Sequence, residues 1–200
     1  MKKKRLSNRD ESILLSLKRC DFMTRDQLRQ HFRLGTIRNT NLILGGLSDY
    51  LMKIRDAYQT IYYLNKNGRE YVGCDKIRKR GGHVAHTIMR NDAWLFYGCP
   101  SDWKNEVKVS DGNSHVVTDA MFMKALRYHF LEVDRTQPMK ENKLKIARYK
   151  ELERNGLIKE KLGHFPTIVF ITTTELRRKQ IIEACTGLPS VNVFTSNEIK

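Results

Sequence analysis

The sequence predicts an α+β chain, with an N-terminal winged helix-turn-helix followed by an α/β domain built on a mixed sheet. Three observations carry that prediction. Residues 7–47 hold three short stretches with apolar residues at helical spacing, each opened by a Ser, Thr or Asn. A strand–turn–strand pattern follows the third stretch at once, where a wing would lie. Residues 83–194 then read α-β-β-β-α-β-α-β, an order that favours a mixed sheet with helices on its faces.

In the first part, Ser7 or Asn8 can cap a helix whose first turn holds Asp10 and Glu11, where acids suit the helix dipole. Ile13, Leu14 and Leu17 form its apolar stripe. Thr24 with Gln27 is a capping box for a second helix through Leu28 and Phe32. Leu34-Gly35 makes a tight turn, and Thr36 caps a third helix with Ile37, Leu44 and Leu47 on its apolar side. Tyr50–Arg55 and Gln59–Leu64 are strand-like and joined by the polar turn Asp56-Ala57-Tyr58. Asn65 caps a closing helix from about Lys66 to Val72.

Near its N-terminus the third helix has a polar side of Thr36, Arg38, Asn39, Thr40 and Asn41. Arg and Asn make bidentate contacts to guanine and adenine edges, and a recognition helix offers its first residues to the major groove. Lys53, Arg55 and the Lys2–Arg5 cluster are candidates for phosphate contacts. Charge supports this reading. The net charge is +15, and residues 1–90 carry 20 Lys+Arg against 8 Asp+Glu, whereas residues 91–200 carry 17 against 14. A basic first part and a nearly balanced second part imply two units with different work, the first on double-stranded DNA.

The expected domains are 1–75 for the winged helix, 76–82 for a basic linker ending in Gly81-Gly82, and 83–200 for the α/β unit. His83–Tyr97 reads as a helix in which His86 and Asp92 are polar candidates. Asn105–Val109 is a short strand, and Asp111-Gly112-Asn113 marks a turn. Val116–Arg135 supplies two more strands, ending in Asp119 and in Glu132-Val133-Asp134. Period-2 geometry sets Glu132 and Asp134 on one face, and pairing of the two strands can bring Asp119 beside them. Two readings of these acids stay open: a divalent-metal site of the kind a nuclease needs, or strand-end residues on a solvated face. Glu141–Asn155 is a helix stopped by Gly156, Phe165–Thr172 a buried strand, Thr174 the cap of a helix to about Cys185, and Val191–Phe194 a last strand.

Several classes drop out. Cys20, Cys74, Cys99 and Cys185 are widely spaced with no CxxC pair, which suits neither a disulfide framework nor a zinc ribbon. A set of Cys74, His83, His86 and Cys99 fits no standard finger spacing. The start MKKKRLSNRDES has no apolar region after its basic residues, and no apolar run is long enough to span a bilayer. The expected location is the cytoplasm, with no membrane partner.

The strand order with Asp119 and then Glu132 resembles the core of the PD-(D/E)XK nuclease superfamily. That resemblance implies that Asp119 and Glu132 hold one or two magnesium or manganese ions. Its Glu-x-Lys lysine is Asp134 here, and a lysine that migrates to the next helix implies Lys145, or Lys143, as the replacement. The catalytic set implied is therefore Asp119, Glu132, Asp134 and Lys145. More narrowly, the chain is similar to the replication-relaxation family of plasmids and mobile elements. The similarity rests on the winged helix, His86-x5-Asp92, Thr118–Phe122, Phe130–Arg135 and Lys145-x3-Tyr149, and it covers roughly residues 10–185. It implies a DNA-binding accessory protein in replication, relaxation or transfer, working with other replication or transfer proteins. An endonuclease and a winged-helix transcription regulator are the alternatives. A homodimer reading paired half-sites is expected.

Overall fold

The computed structural model describes residues 5–56, 59–78, 81 and 83–200. The expected Lys2–Arg5 cluster, the turn at Asp56-Ala57-Tyr58 and the end of the linker fall largely outside those residues. The chain forms two compact units, Met1–Asn91 and Asp92–Lys200. It is α+β, with a mixed sheet in the second unit.

Unit 1 opens with α1 (Asn8–Cys20), capped by a Ser7–Asp10 box, and β1 (Met23–Thr24) follows. Next come α2 (Arg25–His31), capped by Thr24 and Gln27, and α3 (Ile37–Gly45), capped by Thr36. β2 (Leu51–Asp56) and β3 (Gln59–Leu64) form an antiparallel hairpin, and α4 (Lys66–Val72) closes on an Asn65 cap. β1 adds a third strand in the order β1-β3-β2. This two-residue strand carries no sequence signal, because its pairing with Tyr62 and Ile61 is a long-range contact. Of the apolar residues Ile37, Leu44 and Leu47, Ile37 is exposed and the two leucines are buried. Gly68 is in α4 because nothing larger fits: a Cβ there would lie 2.2 Å from the Tyr50 carbonyl oxygen.

α5 (Val84–Phe96) contributes its first half to unit 1. Gln27 Nε2 donates to the Ile88 carbonyl at 2.9 Å, and Asn91 Nδ2 donates to the carbonyls of Cys20 and Phe22 at 2.9 and 2.6 Å. Val84 joins Phe22, Ile54, Ile61 and Tyr63 in the core of this unit.

Unit 2 is a five-stranded sheet in sequence order: β4 (Lys104–Ser110), β5 (His115–Lys124), β6 (Arg127–Asp134), β7 (Thr167–Thr172) and β8 (Val191–Thr195). The first three strands form an antiparallel meander, and β7 and β8 are added in parallel. The crossovers are α6 (Met139–Asn155) with the short α7 (Leu157–Leu162), and α8 (Glu175–Ala184). The order of elements along the chain and the mixed sheet follow the sequence expectation, but β5 continues past Asp119 to Lys124 and α7 was not expected. Every residue of β7 is buried, as its uninterrupted apolar run requires. The β5–β6 turn is Ala125-Leu126, and both residues have positive φ (49° and 62°). A two-residue hairpin turn needs that conformation, usually from Asn-Gly or Asp-Gly; a polar turn is expected between these strands, and the apolar Ala125-Leu126 pair makes it instead.

The core lies where α6 and α8 cover one face of this sheet, around Phe130, Phe170, Ile146 and Tyr149. Val116 belongs to that core and Met121 packs against it, although they are five residues apart. Strict alternation would send them to opposite faces, so β5 reverses its faces once between them. The reversal sits at Asp119. The β4–β5 register records Asn105↔Ala120 and Val107↔Thr118 but skips Glu106, whose φ is +53°. β5–β6 pairing also stops here, with Ala120↔Leu131 the last pair.

Candidate functional site

The place where β5 leaves β6 builds the site. Beyond Ala120↔Leu131 the two backbones no longer pair, and side chains take over. Asp119 Oδ2 accepts from the Val133 N–H at 2.7 Å, and Thr118 Oγ1 donates to the Leu131 carbonyl at 2.8 Å. Asp119 is half-buried at this fork.

Glu132 and Asp134 share one face of β6, as period 2 requires, and α6 packs over both. Glu132 is only 2% exposed. Its Oε1 accepts from the Tyr149 hydroxyl at 2.5 Å, and its Oε2 pairs with Lys145 Nζ. Lys145 and Tyr149 are four apart on α6, so both reach down the same side of the helix. Burial pushes the Glu132 carboxyl up to about 8; the Lys145 charge pulls against that and the Asp119 charge adds to it. Burial also holds the Tyr149 hydroxyl well above its ordinary range, with Glu132 reinforcing the effect.

Asp134 is fully buried and has its own partners. Its Oδ1 accepts from Asn142 Nδ2 at 2.8 Å and Arg177 Nη2 at 2.6 Å; its Oδ2 accepts from Thr172 Oγ1 at 2.8 Å and Arg177 Nε at 2.6 Å. Burial works to raise this carboxyl, yet the bonds from Arg177, Asn142 and Thr172 together hold it below its ordinary value.

Of the four residues expected for catalysis, Asp119, Glu132 and Lys145 therefore gather at the fork, and Asp134 faces the same way but is absorbed by Arg177. Lys143 is exposed on α6. No group of three or more His, Cys, Asp and Glu side chains among the described residues is arranged to hold a metal ion. Sequence reasoning did not single out Asn142, Thr172 or Arg177. Asn142 could have been found from its spacing, three before Lys145 on one helix. Arg177 gives no local signal, because β7 separates it from Asp134 in the chain.

In unit 1, Arg38, Asn39 and Asn41 are exposed on α3, as are Lys53 and Arg55 on β2. Lys53 stands opposite Tyr62 and Arg55 opposite Thr60 on the hairpin. Asn39 uses Nδ2 to donate to the Leu34 carbonyl at 2.8 Å, and Thr36 Oγ1 accepts from the Asn39 N–H at 3.2 Å. Thr40 is fully buried and its hydroxyl donates to the Thr36 carbonyl at 2.9 Å. His86 and Asp92 fall in different units. None of the four cysteines is in a disulfide, and no helix among the described residues is long and apolar enough to cross a membrane.

A comparison with curated proteins finds no match. Among solved structures, the crystal structure of protein VC1899 from Vibrio cholerae aligns at 11% identity over 98% of this chain, with a TM-score of 0.37. The chain spans about half of that protein, 55% of its length. The profile of the replication-relaxation family matches residues 14–168, well over half of the chain, and the protein belongs to the replication-relaxation family.

Proposed function

We propose that the protein is a sequence-specific, double-stranded-DNA-binding accessory protein of a plasmid or other mobile element, acting in replication, DNA relaxation or transfer. Family membership supports the setting. The observation that supports DNA binding is that the antiparallel β2–β3 hairpin follows α3 directly, as a wing would follow a recognition helix. Arg38 and Asn41 are exposed on the third helix, and Lys53 and Arg55 are exposed on the hairpin that follows. The helix would read base edges in the major groove and the hairpin would neutralise phosphates. Thr40, buried, belongs to the packing side of the helix, and Asn39 helps to close its first turn. Binding should strengthen as salt falls, because released counterions drive it. A titration with DNA duplex across several salt concentrations tests this; affinity that is absent or indifferent to salt defeats the proposal. A homodimer on paired half-sites fits such a module. Sedimentation with a two-site duplex would test it, and one protomer per duplex would count against it.

A second reading has its own support in the Glu132–Lys145 pair. A lysine on the helix after the acid-bearing strand stands where a PD-(D/E)XK site could use it in place of the residue occupied by Asp134. The donor set fits magnesium or manganese: such ions take one or two carboxylates and fill their remaining positions with water and phosphate oxygens. Asp119 and Glu132 would hold the ion, which when bound supplies charge stabilisation and an activated water. Lys145 would hold Glu132 in place and face the scissile phosphate. Asp134, tied to Arg177, would keep the end of β6 and the start of α8 together and take no part in metal binding.

A further inference from the structure

The exposed side of α3 contains a residue that folding does not ask for. Ile37, Asn41 and Gly45 follow one another at i, i+4 and i+8, with Arg38 and Leu42 in the adjacent row, and all five are exposed. Gly45 is helical, its φ is not positive, and a Cβ added to it would meet nothing within 4 Å. Alanine would fit that position and is the better helix former. A glycine kept on an open helical face leaves room for something outside the chain to come close to the backbone.

Gly45 borders a groove of about 620 Å3 between α3 and the hairpin. Arg25, Lys53 and Arg55 line the same groove with the hydroxyls of Ser48 and Thr60, and no acidic residue lines it among the described residues. Arg25 stands at the first position of α2, and its Nε is buried without a hydrogen-bond partner. The nearest acid, Asp26, is 3.9 Å away, beyond hydrogen-bond reach. The rest of the side chain is open, 21% exposed in a groove of donors, where an anionic oxygen would match its charge.

We propose that this groove seats the sugar-phosphate backbone of one strand of duplex DNA, with Arg25 as a phosphate ligand and Gly45 giving the strand room beside the helix. The inference rests on the DNA-binding reading above and adds to it a second edge of contact. The groove's cations and hydroxyls match phosphate oxygens and set register and affinity, while Arg38, outside the groove lining, and Asn41, on its α3 edge, set sequence preference.

The test uses the full chain and a random-sequence DNA duplex, read by fluorescence anisotropy at several salt concentrations. Arg25→Gln should lower affinity for all sequences and reduce the slope of log K against log salt by about one. Gly45→Ala should melt at the same temperature as wild type or higher, yet bind several-fold more weakly. Those two results together support the groove. Wild-type affinity and slope in both variants would overturn it, and DNA binding through α3 would still stand. Absence of salt-dependent duplex binding by the wild-type chain removes both the groove and the DNA-binding reading.

Discussion

Arg177 holds Asp134 through both carboxylate oxygens, with each bond 2.6 Å long. The pair joins the first turn of α8 to the last residue of β6, and Arg177 also donates to the Gln137 carbonyl at 2.7 Å. Asp134 is fully buried, so the pair cannot be cut at one end without leaving a charge in the interior. Arg177→Ala should cost about 3–5 kcal/mol, the usual loss when one partner of a buried pair is removed. A urea titration measures it. The pH dependence has a fixed sign: Asp134 is held below its unfolded value of 3.8, so its contribution is present above that pH and lost as pH falls through the folded value. The stability gap between wild type and Asp134→Asn should accordingly narrow in acid.

Glu132 behaves in the opposite way. Its folded value is raised from 4.5 to about 8, so the folded protein keeps a proton that the unfolded chain loses. The stability that this carboxyl contributes is complete below 4.5 and disappears as pH rises through about 8. Glu132→Gln mimics the protonated form and should become more stable relative to wild type over that window, by up to about 1.4 kcal/mol per pH unit. Parallel melting curves for the two proteins across the window would show that Glu132 is already ionised at its base.

Much of the fold can be read in the sequence because its signals are local. Ser7, Thr24, Thr36, Asn65 and Thr174 each cap the helix that the sequence assigned to them. The buried β7 and the Gly156 stop of α6 are equally plain. What stayed hidden depends on contacts distant in the chain. β1 exists only because β3 is beside it, and the Ala125-Leu126 turn is forced by the strands on either side. At the site, Asp119 and Glu132 could be named from strand position, yet nothing nearby in sequence reveals the reversal of β5 at Asp119. Asp134 looked like a third acid of the same kind because alternation shows a face and says nothing of partners. Its partner Arg177 lies 43 residues on.

Asp21 is a second buried acid on which several cations converge. Lys76, Arg78 and Arg90 all pair with it, and Arg90 is only 2% exposed. Arg78 and Arg90 each retain a buried Nε without a hydrogen-bond partner, so Asp21 is the main compensation for their charge. Asp21→Asn should cost about 3–5 kcal/mol. Hydrogen exchange should locate the loss at the end of α1 and the first half of α5. A variant as stable as wild type, with unchanged exchange there, would show that solvent reaches these arginines.

Within the DNA-binding reading, Arg38 and Lys53 should fail differently. Arg38 can make a bidentate contact to one base, so Arg38→Ala should cost about 1–3 kcal/mol on the preferred site and relax preference at one position. Lys53 can only neutralise a phosphate, so Lys53→Ala should weaken all duplexes alike and flatten the salt slope by about one. Selection from a random duplex pool followed by titration separates the two. Identical behaviour of the variants would mean that α3 does not face the bases.

Within the nuclease reading, catalysis would turn on Lys145. Its Nζ meets Glu132 Oε2 while Tyr149 occupies Oε1 at 2.5 Å, so the two helix residues together fix the carboxylate at the fork beside Asp119. If the site cleaves DNA, supercoiled plasmid incubated with magnesium or manganese should be nicked by the wild-type chain. Glu132→Ala should abolish nicking by removing a metal ligand. Lys145→Ala should reduce it while leaving metal binding measurable by calorimetry, because the lysine acts on the phosphate and on the geometry of Glu132. Tyr149→Phe removes one hydrogen bond from the buried Glu132 carboxyl, costing about 1–3 kcal/mol of stability, and should slow nicking less than Lys145→Ala. Equal traces of nicking in wild type and Glu132→Ala would assign the activity to a contaminant. The fork would then be a structural joint that pins β5 to β6 after their ladder ends.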